Sequence, residues 1–157
     1  MIEIKNVTYT YPGIDDDSEG KTALDDISIE INKGDFVAIL GHNGSGKSTL
    51  GKLLNAQIKP TSGEILVDDI SSSTEDSEWD IRKKCSMVFQ NPDNQMVATT
   101  VEEEVAFGPE NLRVDHPELR ERVDGALEQV GMLKYRHRNP SNLSGGQKQR
   151  VSIAGVI

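Results

Sequence analysis

Residues Phe36 to Leu50, FVAILGHNGSGKSTL, decide how this chain is read. A short apolar run, FVAIL, enters a glycine-rich turn, and a segment with helical spacing leaves it. Gly41, Gly46, Lys47 and Ser48 satisfy the spacing G-x-x-x-x-G-K-[ST], which gains meaning when a strand precedes it and a helix follows. The expected order is therefore strand, phosphate cradle, helix. Gly44 and Gly46 let the backbone curl so that its N–H groups line a concavity, and the helix beginning near Lys47 adds about half a positive charge from its dipole. In such a cradle Lys47 reaches the terminal phosphates as a point charge, and the Ser48 hydroxyl suits a hard Mg2+ ion that keeps water and phosphate oxygens as its other ligands.

Outward from this stretch, composition narrows the possibilities. The 157 residues are one domain's worth, and 17 Lys and Arg against 26 Asp and Glu give a net charge of -9. That balance argues against a nucleic-acid partner, whose binding depends on neutralising phosphates. No apolar run approaches the roughly 20 residues that span a bilayer, and Met1 leads directly into the strand-like IEIKNVTYTY, so a cytosolic chain is expected. Cys85 is the single cysteine, which excludes an internal disulfide; within CSMVF it reads as a buried bystander.

Upstream of the cradle, Ile2, Ile4 and Val7 to Tyr11 predict a first strand ended by Pro12 and Gly13. The acidic loop containing Asp15 to Asp17 reads as a solvated connection, and Ile27, Ile29 and Ile31 alternate through a second strand. A small antiparallel sheet follows from this pattern. Downstream, Leu50, Leu53 and Leu54 mark the inner face of a helix from Lys47 to Ile58, before Pro60. EILVDD is a further strand, ISSSTEDSEWD an exposed loop with Trp79 as a packing anchor, and CSMVF another strand.

Gln90 stands just after that strand, ahead of the turn-rich NPDNQMVATT. In VEEEVAFGPENL, Val101, Val105 and Phe107 suggest one face of a short helix, with Glu102 to Glu104 as its solvated side. Leu119, Val123, Leu127 and Val130 make PELRERVDGALEQVG amphipathic, with Pro117 in its first turn and Gly131 at its stop. That face can pack on its own domain or receive a partner. Ser144 can cap a last helix whose first amides belong to Gly145, Gly146 and Gln147, a second helix end suited to phosphate, although Ser-Gly-Gly alone is also an ordinary cap.

Taken together, GHNGSGKST, Gln90 and LSGGQ (Leu143 to Gln147), in that order, resemble the phosphate loop, Q-loop glutamine and signature of the nucleotide-binding domain of ABC transporters. The run VFQNPDNQMVATTVEEEVAFGPENL is similar to the Q-loop region of ATPase subunits from energy-coupling factor transporters and from their cobalt and nickel importing relatives. The resemblance implies an α/β P-loop NTPase core with an antiparallel β subdomain and a helical subdomain. It divides the chain into an ATP-binding core and β subdomain at 1–90, a Q-loop and helical subdomain at 91–143, and the signature helix at 144–157.

The same resemblance assigns ATP to Gly41, His42, Asn43, Gly44, Ser45, Gly46, Lys47, Ser48 and Thr49, and Mg2+ to Ser48 and Gln90. Tyr11 matches an aromatic that stacks on adenine, against its plainer reading as a strand residue. Ser144, Gly145, Gly146 and Gln147 would act on the nucleotide of an opposite chain in a head-to-tail homo- or heterodimer. The implied partners are a transmembrane coupling subunit, received over Asn91 to Gly108, and a substrate-binding membrane subunit, with the ATPase peripheral on the cytoplasmic face of the membrane.

Only Val151 to Ile157 follow Arg150, so the family's next apolar strand ending in Asp-Glu, and the histidine beyond it, have no counterpart here. The expectation is an N-terminal piece of such an ATPase, lacking C-terminal core strands and impaired in hydrolysis. The energy-coupling factor reading implies uptake of a vitamin or transition-metal ion. Its alternatives are a cobalt or nickel importer ATPase, a catalytically inactive nucleotide-binding fragment, and a soluble ABC protein acting on ribosomes or DNA.

Overall fold

A computed structural model describes residues 1–13, 19–74, 76–91 and 96–157, so Asp15 to Asp17, and Pro92 to Gln95 in the run after Gln90, lie outside the described residues. The described chain forms two units, Met1–Ser86 and Met87–Ile157.

In the first unit, β1 (Ile2–Tyr11) pairs antiparallel with β2 (Lys21–Ile31) on one edge and with β3 (Ser62–Val67) on the other. A short β4 (Ile70–Ser71) completes a four-stranded sheet of order β2-β1-β3-β4. Asp68 and Asp69, both at positive φ (45° and 65°), make the two-residue turn between β3 and β4. A register shift after Ile4, with Asn6 at φ 48°, moves the inward phase of β1 from even to odd residues. Ile4 and Val7 are therefore both buried.

Helix α1 (Lys47–Leu54) lays Leu50 and Leu53 against Ile65 and Leu24 of this sheet. Its last residue is Leu54, with Asn55 as the C-cap, about one turn short of the expected end at Ile58.

Two expected strands do not form. Residues 36–40 carry no strand, and Phe36 and Leu40 are 98% and 91% exposed. Residues 85–89 carry none either. Such continuously apolar runs suit a strand covered on both faces between parallel neighbours. The sheet among the described residues is antiparallel and built from other segments, with the β2 ladder ending at Ile31 before a turn closed by the Asp35 amide on the Asn32 carbonyl (3.1 Å).

The Ser-rich loop is also partly helical. In α2 (Ser77–Lys84), Ile81 is wholly buried and Trp79 is 55% exposed, contrary to its expected anchoring role. Ser77 and Ile81 are four apart and share the inner face; Trp79, two from each, points the other way.

The second unit contains α3 (Val101–Asn111), α4 (His116–Gln129) and α5 (Gly145–Ala154), with short 3-10 turns at Leu133–Tyr135 and Pro140–Asn142. Val101, Val105, Leu127, Met132 and Val151 are its fully buried centre. Leu119 and Val130 pack at the edge of this core, so the apolar face of α4 is turned onto its own unit. Gly131 at φ 67° follows the helix, as its C-terminal stop requires. Phe107 was expected on the inner face of α3 but is 55% exposed, being out of phase with Val101 and Val105 for the same reason as Trp79.

Candidate functional site

The cradle is built from backbone first. Gly44 and Gly46 sit at φ 85° and 89°, and the Ser45 amide closes on the His42 carbonyl at 3.3 Å. Gly46 is required twice over, since a Cβ there would lie 2.5 Å from the Ala23 carbonyl oxygen and 2.8 Å from Leu24 Cδ2. The loop thus lies directly against β2. Residues 41–45 are exposed, and open space surrounds Gly44.

No side chain caps the start of α1, and no acid occupies its first turn. Its leading amides and dipole are therefore presented to an anion. Lys47 Nζ lies over the loop, donating to the carbonyls of Gly41 (2.8 Å) and His42 (2.7 Å) and reaching Ser45 Oγ at 3.4 Å. His42 Nδ1 is 2.9 Å from the Asn43 carbonyl oxygen. Ser48 is exposed and Thr49 buried, so of the two hydroxyls only that of Ser48 faces solvent for a metal. Glycine geometry, an uncapped helix start, a lysine over the loop and an open hydroxyl fit a phosphate tail with a hard cation.

Tyr11, at the end of β1, is linked to this loop through Thr49, its hydroxyl lying 3.1 Å from Thr49 Oγ1. The Tyr9 ring meets it edge to face with centroids 4.9 Å apart. Tyr11 is 37% exposed.

In the second unit, Ser144 caps α5 with a reciprocal box: Ser144 Oγ accepts from the Gln147 amide (3.4 Å), and Gln147 Oε1 accepts from the Ser144 amide (2.9 Å). Leu143 is buried and anchors the motif, whereas Gly145 and Gly146 are exposed with open space around them. Gln90 is exposed in a bend outside any helix or strand. The structure thus gathers Gly41 to Thr49 and Tyr11 in one unit, and Gln90 with Ser144 to Gln147 in the other.

Glu102 to Glu104, expected as a solvated face, are instead individually engaged. Glu102 accepts from Arg136 Nε (2.8 Å) and pairs with His137 Nδ1 (2.9 Å), while Arg136 also reaches Asp124 Oδ1 at 2.8 Å. Burial by itself pushes the Glu102 carboxyl up, but hydrogen bonds and charge from Arg136 and His137 outweigh it and hold the group below its ordinary range. Glu103 forms a capping box with Thr100. Glu104 Oε2 accepts from the amides of Val97 and Ala98, each at 2.9 Å. The only sequence signal for this was S/T-x-x-E spacing at Thr100 and Glu103.

Among the described residues, no helix is long and apolar enough to cross a membrane. Comparison with known proteins agrees with the motifs. The sequence profile of the family described as ABC transporter matches residues 24–157. The chain is 55% identical, over its full 157 residues, to the energy-coupling factor transporter ATP-binding protein EcfA1 of Clostridioides difficile (strain 630), and covers 56% of that protein. It is 53% identical to the EcfA1 of Clostridium novyi (strain NT), covering 55% of it. The chain therefore spans little more than half the length of these relatives. Among solved structures, cbiO1 from Clostridium perfringens, part of the ABC transporter complex cbiONQ, superposes with a TM-score of 0.82 at 38% identity, over 99% of this chain and 60% of that one. The cassette MJ0796, in a dimeric post-hydrolysis state with ADP and Pi, gives 0.83 at 32% identity over 100% of this chain and 69% of its own. Its fold is that of the ABC ATPase cassettes, and the chain belongs to the ABC transporter family.

Proposed function

We propose that this chain is the nucleotide-binding part of the ATPase subunit of an energy-coupling factor transporter, coupling ATP binding and hydrolysis to uptake of a vitamin or transition-metal ion. The observation that carries the proposal is the open, uncapped start of α1 with Lys47 lying over the carbonyls of Gly41 and His42. Identity above 50% to EcfA1 proteins supports the transporter class.

Residues 41–49 would hold the phosphates of ATP and Tyr11 would meet the adenine; Ser48 and Gln90 are each proposed as a ligand for Mg2+, which would supply charge neutralisation. Ser144 to Gln147 address the nucleotide of a second ATPase subunit. That role is supported by the dimeric state of the MJ0796 cassette and by the exposure of Gly145 and Gly146. A transmembrane coupling subunit and a substrate-binding membrane subunit complete the assembly, with the ATPase peripheral on the cytoplasmic face. The general base that orients water in phosphoryl transfer is not assigned to any of these residues.

The likeness to cbiO1 favours a second reading, an ATPase of a cobalt or nickel importer. Co-purification of the full-length protein with its membrane subunits, followed by uptake assays with vitamins and with divalent metals, separates the two. Within either reading Lys47→Ala abolishes ATP binding, and Ser144→Arg blocks ATP-dependent dimer closure while leaving binding to one subunit intact. Retention of normal affinity in Lys47→Ala contradicts the cradle.

A further inference from the structure

We propose that Ser45 is a positioning residue of the cradle: its hydroxyl stands over Gly41 and, with two loop carbonyls, fixes the ammonium of Lys47 where terminal phosphates arrive. The inference rests on the nucleotide reading above and gives the Ser45 side chain a part in it.

Two glycines of the loop answer to backbone conformation, and the first does not. Gly44 and Gly46 have positive φ, whereas Gly41 lies outside that region, so its backbone does not call for glycine. A neighbour calls for it instead. A Cβ on Gly41 would collide with Ser45 Oγ and lie 3.2 Å from Ser45 Cβ, with Lys47 Cδ at 4.0 Å. The serine and the lysine stem therefore fill the space that any larger residue at 41 would take.

The turn itself puts Ser45 there. Across the left-handed Gly44, the Ser45 amide donates back to the His42 carbonyl (3.3 Å), which folds the serine over the start of the loop. A carbonyl has two lone pairs, and Lys47 Nζ also donates to that of His42, at 2.7 Å. The Gly41 carbonyl at 2.8 Å and Ser45 Oγ at 3.4 Å complete the set, three acceptors for an ammonium with three N–H donors. Two of these acceptors are backbone, so Ser45 Oγ is the one that a substitution can remove. As the longest contact it restrains direction more than it binds. A lysine stem already held in place loses less rotamer freedom when phosphate arrives, so the hold is read as affinity.

The test uses the full-length protein, with calorimetric titration by ATP and, in the absence of nucleotide, the rate at which an amine-acylating reagent labels each lysine, followed by peptide mass spectrometry. Ser45→Ala is expected to weaken ATP binding about twofold to tenfold and to raise Lys47 labelling in similar proportion, with Lys59 and Lys134 unchanged. Its melting temperature should stay that of the unsubstituted protein, because residues 41–45 are exposed. Gly41→Ala should lose at least as much affinity, and adding Ser45→Gly should return it to the level of Ser45→Gly alone, since the methyl group then has room. Gly46→Ala should gain no such relief, because its crowding comes from Ala23 and Leu24. The proposal is overturned if Ser45→Ala leaves either readout unchanged, since a loss of affinity without faster Lys47 labelling means that the serine acts on the nucleotide directly. It is equally overturned if Ser45→Gly leaves the Gly41→Ala defect in place. Failure of the unsubstituted protein to bind ATP removes the functional reading, while Lys47 labelling still decides whether Ser45 holds the ammonium.

Discussion

The hydroxyl of Tyr11 lies 3.1 Å from Oγ1 of Thr49, joining the last residue of β1 to the buried threonine in the first turn of α1. One side chain thus serves two purposes: its oxygen steadies the helix behind the phosphate loop, and its ring stands at the edge of the loop, 37% exposed. The two are separable. Tyr11→Phe removes the bond alone and is expected to cost about 0.5–1.5 kcal/mol of stability with ATP affinity nearly unchanged. Tyr11→Ala also removes the ring, and loses about 1–3 kcal/mol of binding if a base stacks there. Calorimetric titration with ATP beside urea unfolding distinguishes them; equal affinity in the alanine variant contradicts stacking.

Gly44 and Gly46 offer a paired test, because both have positive φ but only one is crowded. At Gly44 a methyl group meets open space, so Gly44→Ala carries only the left-handed backbone cost of about 1–2 kcal/mol. At Gly46 it meets the Ala23 carbonyl at 2.5 Å, and backbone must move. Gly46→Ala should be the more destabilising by urea unfolding and should lose ATP binding. A Gly46 variant as stable as the Gly44 variant would show that the loop does not lie against β2.

What could be read without coordinates depended on whether a feature is local. The turn at 41–48 needs only its own glycines and the helix after it, and the 4-4-3 spacing of Leu119, Val123, Leu127 and Val130 reports a helix face directly. Pairing of strands is not local: residues 36–40 have the composition of a buried strand, yet a strand exists only where another segment supplies its ladder. Trp79 and Phe107 stand exposed because helical phase, and not size, decides which side chain is buried. A run of charge at Glu102 to Glu104 does not disclose a partner at Arg136, 34 positions away from Glu102.

The Glu102 cluster also predicts a pH dependence. Its folded carboxyl titrates below the ordinary range, so the pair's contribution to stability is complete above the unfolded value, near 4.5, and is lost as pH falls through the lowered folded value. Acid unfolding of the helical unit, followed by near-UV circular dichroism, should therefore be steeper in the unsubstituted chain than in Glu102→Gln. The variant should be the less stable at pH 7, with the two converging only as pH falls through the lowered folded value. A constant difference between them down to strong acid would mean that Glu102 acts through packing and not through its charge.

The strand that does not form gives the last prediction. Phe36 and Leu40 are almost fully exposed in the 157-residue chain, and burying each such side chain is worth about 1.5–3 kcal/mol. The curated relatives are nearly twice as long as the segment they share with this chain. In a protein extended to that length, parallel neighbours that cover residues 36–40 would satisfy both the backbone and the apolar side chains, and would also brace the loop that begins at Gly41. Amide exchange measured by mass spectrometry should then be fast at 36–40 in the 157-residue chain and slow in the longer one, and the shorter chain should bind a hydrophobic dye that the longer one does not. The same bracing should raise ATP affinity in the longer chain, because less of the binding energy is spent on ordering the loop. Slow exchange at 36–40 in both chains would mean that this run finds a partner within the 157 residues themselves.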